Sequence, residues 1–382
     1  MPRGLGVQAP TLVEGVEAVN GLLQPAQRAA GGVSPGNFLA AHVKSFDHFW
    51  KVWRNMSESI IAQLFSPPVL FFVMGMVAGL VRSDLKVPEV MGTAMLIFLL
   101  TAIGLDGGIG IYKVGIGSIL VPAAAAIILG IGIVLLSYTV LRRLRFDTAN
   151  AGAIAGHYGA VSAATMVAGL AFLDASGVFY VPFIPALYPL MDSPAILTAI
   201  VLTRFALAKN NATGSAGNAQ VQQLLKESLV GKAVFLLGAS MVVGYVAGYE
   251  GTAPIRPFFD EMFKGILCLF LLDMGLVASA KLKEWKAVGI RMAVFALIMP
   301  PIHGLAGVLL GTLSGLSVGG ATMLGVFAAS ASYISAPAAI RAAIPEANPS
   351  LSLTAAVALT FPFNVVIGIP LYHEMAKFVA RW

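Results

Sequence analysis

The sequence predicts an all-α integral membrane protein: about ten transmembrane helices in two inverted five-helix repeats, with the fourth and ninth helices broken. Three observations predict it. Of the 382 residues 58% are hydrophobic and only 11% charged, and the mean hydropathy is +0.86. A soluble domain carries about 25% charge, so this chain lacks the polar surface that water demands. The apolar residues fall into ten segments, most of them near the ~20 residues that cross a hydrocarbon core. Finally, a serine-bearing motif occurs twice, as Gly159-Ala160-Val161-Ser162-Ala163 and as Tyr333-Ile334-Ser335-Ala336-Pro337, with the serines 173 residues apart.

Residues 1–57 form an N-terminal extension of different character. It is rich in Pro, Gly, Asn and Gln and has no apolar core of signal-peptide quality. Its aromatic-basic stretch (Phe46, Phe49, Trp50, Lys51, Trp53, Arg54) reads either as an interfacial helix or as a partly disordered lead-in. Residues 58–208 hold the first five segments, near 60–81, 88–105, 117–140, 148–173 and 180–207. A polar linker, 209–228, follows. Residues 229–382 hold the second five, near 229–249, 258–278, 287–313, 317–343 and 350–380.

Further pairs echo between the halves, among them Val114-Gly115-Ile116 with Val288-Gly289-Ile290 and Phe98-Leu99-Leu100 with Phe270-Leu271-Leu272. An odd number of spans per half inverts the second half relative to the first. Charge supports this: fourteen of the 24 basic residues lie in odd-numbered connections, and only Lys113, Arg256 and Lys264 in even ones. Positive residues mark the cytoplasmic side, so both termini are expected outside a multi-pass protein of the plasma (inner) membrane. The same distribution, with no basic patch interleaved with aromatics, excludes a nucleic-acid partner. Gly75/Gly79, Gly152/Gly156, Gly244/Gly248 and Gly307/Gly311 put glycines one turn apart and read as close helix packing.

Ser162 and Ser335 each follow small residues and precede an apolar run, so each is placed to cap a new half-helix. Pro337 disfavours helix at Ala336 and is tolerated only in a first turn, while Gly156 and Gly159 loosen the chain at the matching place. Backbone broken at membrane depth persists only where it lines a cavity or is buried in protein. Helix N-termini there present amides and a positive dipole end to an anion. Inverted repeats with such breaks are the pattern of secondary transporters.

Charges inside apolar runs are costly and usually functional. Asp106, Asp192 and Asp273 are the candidates, with Asn364 between Pro362 and Pro370 as a further polar group. Their oxygens suit a Na⁺ or a proton relay equally. His157 and His303 lack a second ligand at helical spacing and read as packing or cavity lining. The lone Cys268 excludes a disulfide framework or a cysteine-based metal site. No HExxH, GxSxG or phosphate-cradling glycine loop occurs, so the chain is not read as an enzyme.

At these residues the chain resembles the sodium-dependent bicarbonate transporters of the cyanobacterial carbon-concentrating system, the SbtA family. The motifs are Ser66-Pro67, Gly159 to Ser162 with Thr165-Met166, and Ala186-Leu187-Tyr188-Pro189-Leu190-Met191-Asp192-Ser193-Pro194-Ala195. Ile334-Ser335-Ala336-Pro337 and the run Arg341 to Ser350 complete the set. The resemblance implies a homotrimer whose core domain moves as an elevator against a gate domain, importing HCO₃⁻ with Na⁺ as coupling ion. It places the anion between the broken helices, at positions matched here by Gly159, Ala160, Val161, Ser162, Ala163, Tyr333, Ser335 and Ala336. Sodium belongs among residues around the breaks, matched here by Asp192, Thr165, Ser332 and Asn364; Asp106 and Asp273, where the family has non-acidic residues, are placed to compensate. The family's Ser-Ser-Ser-Asp is Ser330-Ala331-Ser332-Tyr333 in this chain, so a carboxylate is lost beside the anion. Ala163 and Ala336 replace glycines, and the short 209–228 linker puts binding of the family's PII-like regulator in doubt. A different small solute such as a carboxylate, or a non-transporting sensor or scaffold, are the alternatives.

Overall fold

A computed structural model describes residues 65–210, 232–282 and 285–381. The chain divides into two units, Met1–Ser59 and Ile60–Trp382, and all that follows concerns the second. The N-terminal extension, its aromatic-basic stretch and nearly all of the 209–228 linker lie outside the described residues. The described chain is 84% helix with no strands, and seven helices are long and apolar enough to cross a membrane. The all-α membrane expectation holds at that level.

Each of the ten apolar segments carries helix. The first half contains α1 (Pro67–Leu80), α2 (Glu89–Val114), α3 (Leu120–Arg143), α4 (Thr148–Gly159), α5 (Ala163–Ala175) and α6 (Leu187–Asn210). The second contains α7 (Lys232–Thr252), α8 (Arg256–Leu282), α9 (Trp285–Leu313), α10 (Val318–Ala329), α11 (Ala336–Ala343) and the long α12 (Pro349–Val379). Their ends follow local rules. Two prolines open α1, where their missing amides cost nothing. Gly115, at φ 82°, ends α2 in a conformation that favours glycine. Asp147 accepts the Asn150 amide at 2.8 Å and caps α4. In α12, π-helical turns at Ala355–Thr360 and Asn364–Gly368 absorb the disturbance around Pro362 and Pro370.

Packing sorts the helices into two groups. One pairs α1 with α8 and α2 with α7. These pairs cross at reciprocal glycines: a Cβ on Gly75 would overlap the Leu272 carbonyl and one on Gly275 the Phe72 carbonyl, as Gly108 and Gly244 face Met241 and Leu105. Backbones in contact maximise dispersion where lipid offers no hydrophobic drive. The packing expected of the four glycine pairs is present except at Gly248, which kinks α7 at φ 63°. The other group joins α3, α4 and α6, and packs α9 against α10 and α12. Its interior holds the segment Thr148–Ala175, 83% buried within the protein against 39% for Gly117–Arg143. That shielding lets a chain depart from helix without showing bare backbone to lipid.

Candidate functional site

Two departures from helix meet inside this group. The first, Ala160 to Ser162, separates α4 from α5; the second, Ser330 to Ser335, separates α10 from α11. At the first, extended backbone turns the chain and the Ser162 hydroxyl accepts the Thr165 amide at 3.2 Å, capping α5 as expected. The second differs from expectation. Ser335 sits in helical geometry and caps nothing. The Ser332 hydroxyl instead receives the Ala336 amide, at 3.4 Å. The Ser335 hydroxyl is placed elsewhere: its Oγ lies 2.7 Å from Ser332 Oγ and donates to Asp192 Oδ1 at 3.1 Å.

Asp192, on α6 and fully buried, is the hub. Its Oδ1 also accepts the Val161 amide at 2.9 Å, so one oxygen ties the first departure to the second. The Ser162 amide donates to Ser330 Oγ at 2.9 Å, and that hydroxyl donates to the Phe327 carbonyl. The amides of Val161 and Ser162 are therefore taken within the protein. Those of Ala163 and Ala164, in the first turn of α5, have no hydrogen bond among the described residues, nor do those of Tyr333, Ile334 and Ser335. The dipole-positive start of α5 thus keeps two buried donors.

Further buried oxygens lie on α5 and α6. Asp192 Oδ2, Ser193 Oγ, Thr165 Oγ1 and the Tyr188 hydroxyl have no hydrogen-bond partner among the described residues. Tyr188 stands beside both Asp192 and Ser335. An unpaired buried carboxylate oxygen costs several kcal/mol unless a cation, a proton or a donor meets it. Asn364, within the π-helical part of α12, donates to the Ala329 carbonyl at 2.8 Å and accepts the Tyr372 hydroxyl at 2.8 Å. It braces the end of α10 and leaves that oxygen engaged.

The other two carboxylates lie elsewhere. Asp273 faces Gly92 near the start of α2. It neighbours the second departure, where its charge acts on Tyr333 and the sulfur of the adjacent Met274 accepts the Tyr333 hydroxyl at 3.1 Å. Asp106 lines a separate cavity of about 510 Å³ with Asp174, Asp260, Lys113, Arg256 and Lys264. Leu170 on that wall is eight residues from Ser162, about 12 Å along α5 at helical rise. Asp106 and Asp273 are not brought to Asp192. The sequence singled out no role for Ser330 and read His157 as packing or cavity lining. Neither carries a local signal, because their partners lie 168 and 175 residues away.

A family model for the Na⁺-dependent bicarbonate transporter superfamily matches residues 67–377. The chain belongs to this superfamily. The match covers every helix described above, from α1 into the last turns of α12. A comparison with curated proteins finds no match. Membership in the bicarbonate transporter superfamily makes the chain a member of a transporter family, in keeping with its several membrane-length apolar helices.

Proposed function

We propose that the protein is a sodium-coupled importer of bicarbonate or a similarly small anion. The observation that carries this is a convergence: Asp192 keeps a partnerless buried Oδ2, while its Oδ1 holds the Val161 amide just ahead of the open amides of Ala163 and Ala164. Alone, the carboxylate repels an anion from those amides. A Na⁺ held by Asp192, Thr165, Ser193 and Tyr188 cancels that repulsion and turns it into attraction. Hard oxygen donors suit an alkali cation, and no group of three His, Cys, Asp or Glu occurs among the described residues to favour a transition metal. Each ligand then needs the other, which is the physical content of coupling.

The alternating access we assign is an elevator. The group with α3–α6 and α9–α12 carries the site and slides against the frame of α1, α2, α7 and α8, whose glycine crossings make it stiff. We read α4 with α5 and α10 with α11 as the broken fourth and ninth of ten spans, related by inverted repetition. Both termini lie outside, and the assembly is a trimer in the plasma membrane. The test is uptake of radiolabelled bicarbonate into proteoliposomes at fixed pH. A sodium gradient is expected to drive accumulation that a potassium gradient does not. Equal uptake under both overturns sodium coupling, and no uptake under either moves the substrate to another small solute such as a carboxylate.

A further inference from the structure

We infer that His157 is a positioning residue for the anion seat, holding the second helix departure at a set distance from the first. His157 and Ser330 occupy matching places, each five residues before its motif serine. His157 lies in the last turn of α4 and Ser330 directly follows α10, and each reaches into the opposite departure. Ser330 does so through its hydroxyl, which takes the Ser162 amide. His157 does so twice. Its backbone carbonyl accepts the Ser332 amide at 2.7 Å, and its Nδ1 lies 2.6 Å from the Ser332 carbonyl. A carbonyl only accepts, so Nδ1 carries the proton and donates. The two residues form a closed, reciprocal pair between chain segments 175 residues apart.

The placement makes this pair consequential. Ser332 bears the hydroxyl that meets both Ser335 and the Ala336 amide, and Ser335 in turn meets Asp192. The non-helical stretch from Ser330 to Ser335 has few backbone ties: among the described residues, only its Ser330 and Ser332 amides are hydrogen-bonded. Without the imidazole, Ser332 keeps one bond to α4 instead of two, and the Ser335–Asp192 contact loses its fixed end. His157 itself is buried at 2% exposure and makes no hydrogen bond to the partnerless oxygens. It acts through Ser332. No metal role and no change of charge is involved.

The inference rests on the anion-import reading for its transport arm but not for its structural arm. In the full-length purified protein, His157→Leu removes the donor while keeping bulk, and His157→Asn keeps an N–H close to the Nδ1 position. Hydrogen exchange of peptides covering Ser330–Ser335 is expected to quicken about fivefold in His157→Leu, the equivalent of one hydrogen bond of about 1 kcal/mol. Exchange is expected to stay near wild type in His157→Asn. In proteoliposomes the KM for bicarbonate is expected to rise about fivefold in His157→Leu with the maximal rate nearly unchanged, and to recover in His157→Asn. Unchanged exchange in His157→Leu, or equal disturbance in both variants, overturns the clamp. Quickened exchange with an unmoved KM overturns its role in the seat. If wild-type protein itself takes up no bicarbonate, the import reading fails and the exchange arm alone decides the clamp.

Discussion

The two helix departures carry nearly the same motif and use it differently. At Ala160–Ser162 the serine caps the helix that follows, and the turn is three residues long. At Ser330–Ser335 the chain stays out of helix for six residues; Ser332 takes over the cap, and Ser335 turns its hydroxyl to a carboxylate. The first departure is a rigid amide donor. The second is a string of hydroxyls, braced from outside by His157 and Asn364. A repeated motif in an asymmetric site thus divides labour: one copy presents the backbone, the other presents side chains, and Asp192 joins them.

This division is broken most severely at its hub. Asp192→Asn removes the charge that ties both departures and, in our reading, holds the ion. Leaving a buried set without its charged partner costs about 3 kcal/mol or more, so sodium-driven uptake is expected to fall by about two orders of magnitude. Retention of sodium-dependent uptake in Asp192→Asn removes the carboxylate from the mechanism. Ser335→Ala comes next. It deletes a hydrogen bond to a carboxylate, worth about 1.5–3 kcal/mol, and the KM for the anion is expected to rise at least tenfold. Ser162→Ala deletes mainly a cap, about 1 kcal/mol, and is expected to lower thermal stability more than affinity. Finding Ser162→Ala the worse of the two for affinity reverses the division of labour proposed here.

Two smaller effects sharpen the contrast with regions outside the site. Asp106→Asn is expected to leave the sodium half-saturation of uptake unchanged, since that residue belongs to the separate cavity; a shift as large as that of Asp192→Asn joins the two sites. Asp147 lies outside the spans, at the start of α4. Burial works to raise its pKa, but hydrogen bonds from the Asn150 backbone and side chain prevail and hold the carboxyl below its ordinary value of 3.8. A depressed folded value stabilises above the ordinary value and is lost as pH falls below it. The unfolding temperature of Asp147→Ala is expected to be slightly lower than wild type near neutrality, with the gap closing in acid as pH falls through the lowered carboxyl value. A gap that persists in acid shows the cap acts through packing instead.

Much of this was legible in the sequence. Apolar run length marked ten segments, each of which carries helix, because hydrocarbon sets their length. The motif serines, glycines and Pro337 marked the departures, because chain breaking is a local property. Asp192 stood out beside a proline in an apolar run. The remainder depends on which distant side chains arrive. The Val161 amide meets an acceptor 31 residues on and the Ser162 amide one 168 residues on. Nothing near either residue announces that these donors are already used. All three carboxylates, Asp106, Asp192 and Asp273, lie in apolar runs, yet it is Asp192 that hydrogen-bonds both departures. His157 reads as an ordinary buried histidine because its partner is a backbone carbonyl, a group every residue possesses.

The central claim is that one carboxylate makes ion and anion depend on each other. Sodium affinity of the purified protein, measured by equilibrium binding with and without saturating bicarbonate at fixed pH, tests it most directly. Linkage requires the enhancement to be mutual, so bicarbonate is expected to tighten sodium binding about tenfold or more in wild type and not in Asp192→Asn. Sodium affinity that ignores bicarbonate contradicts the account.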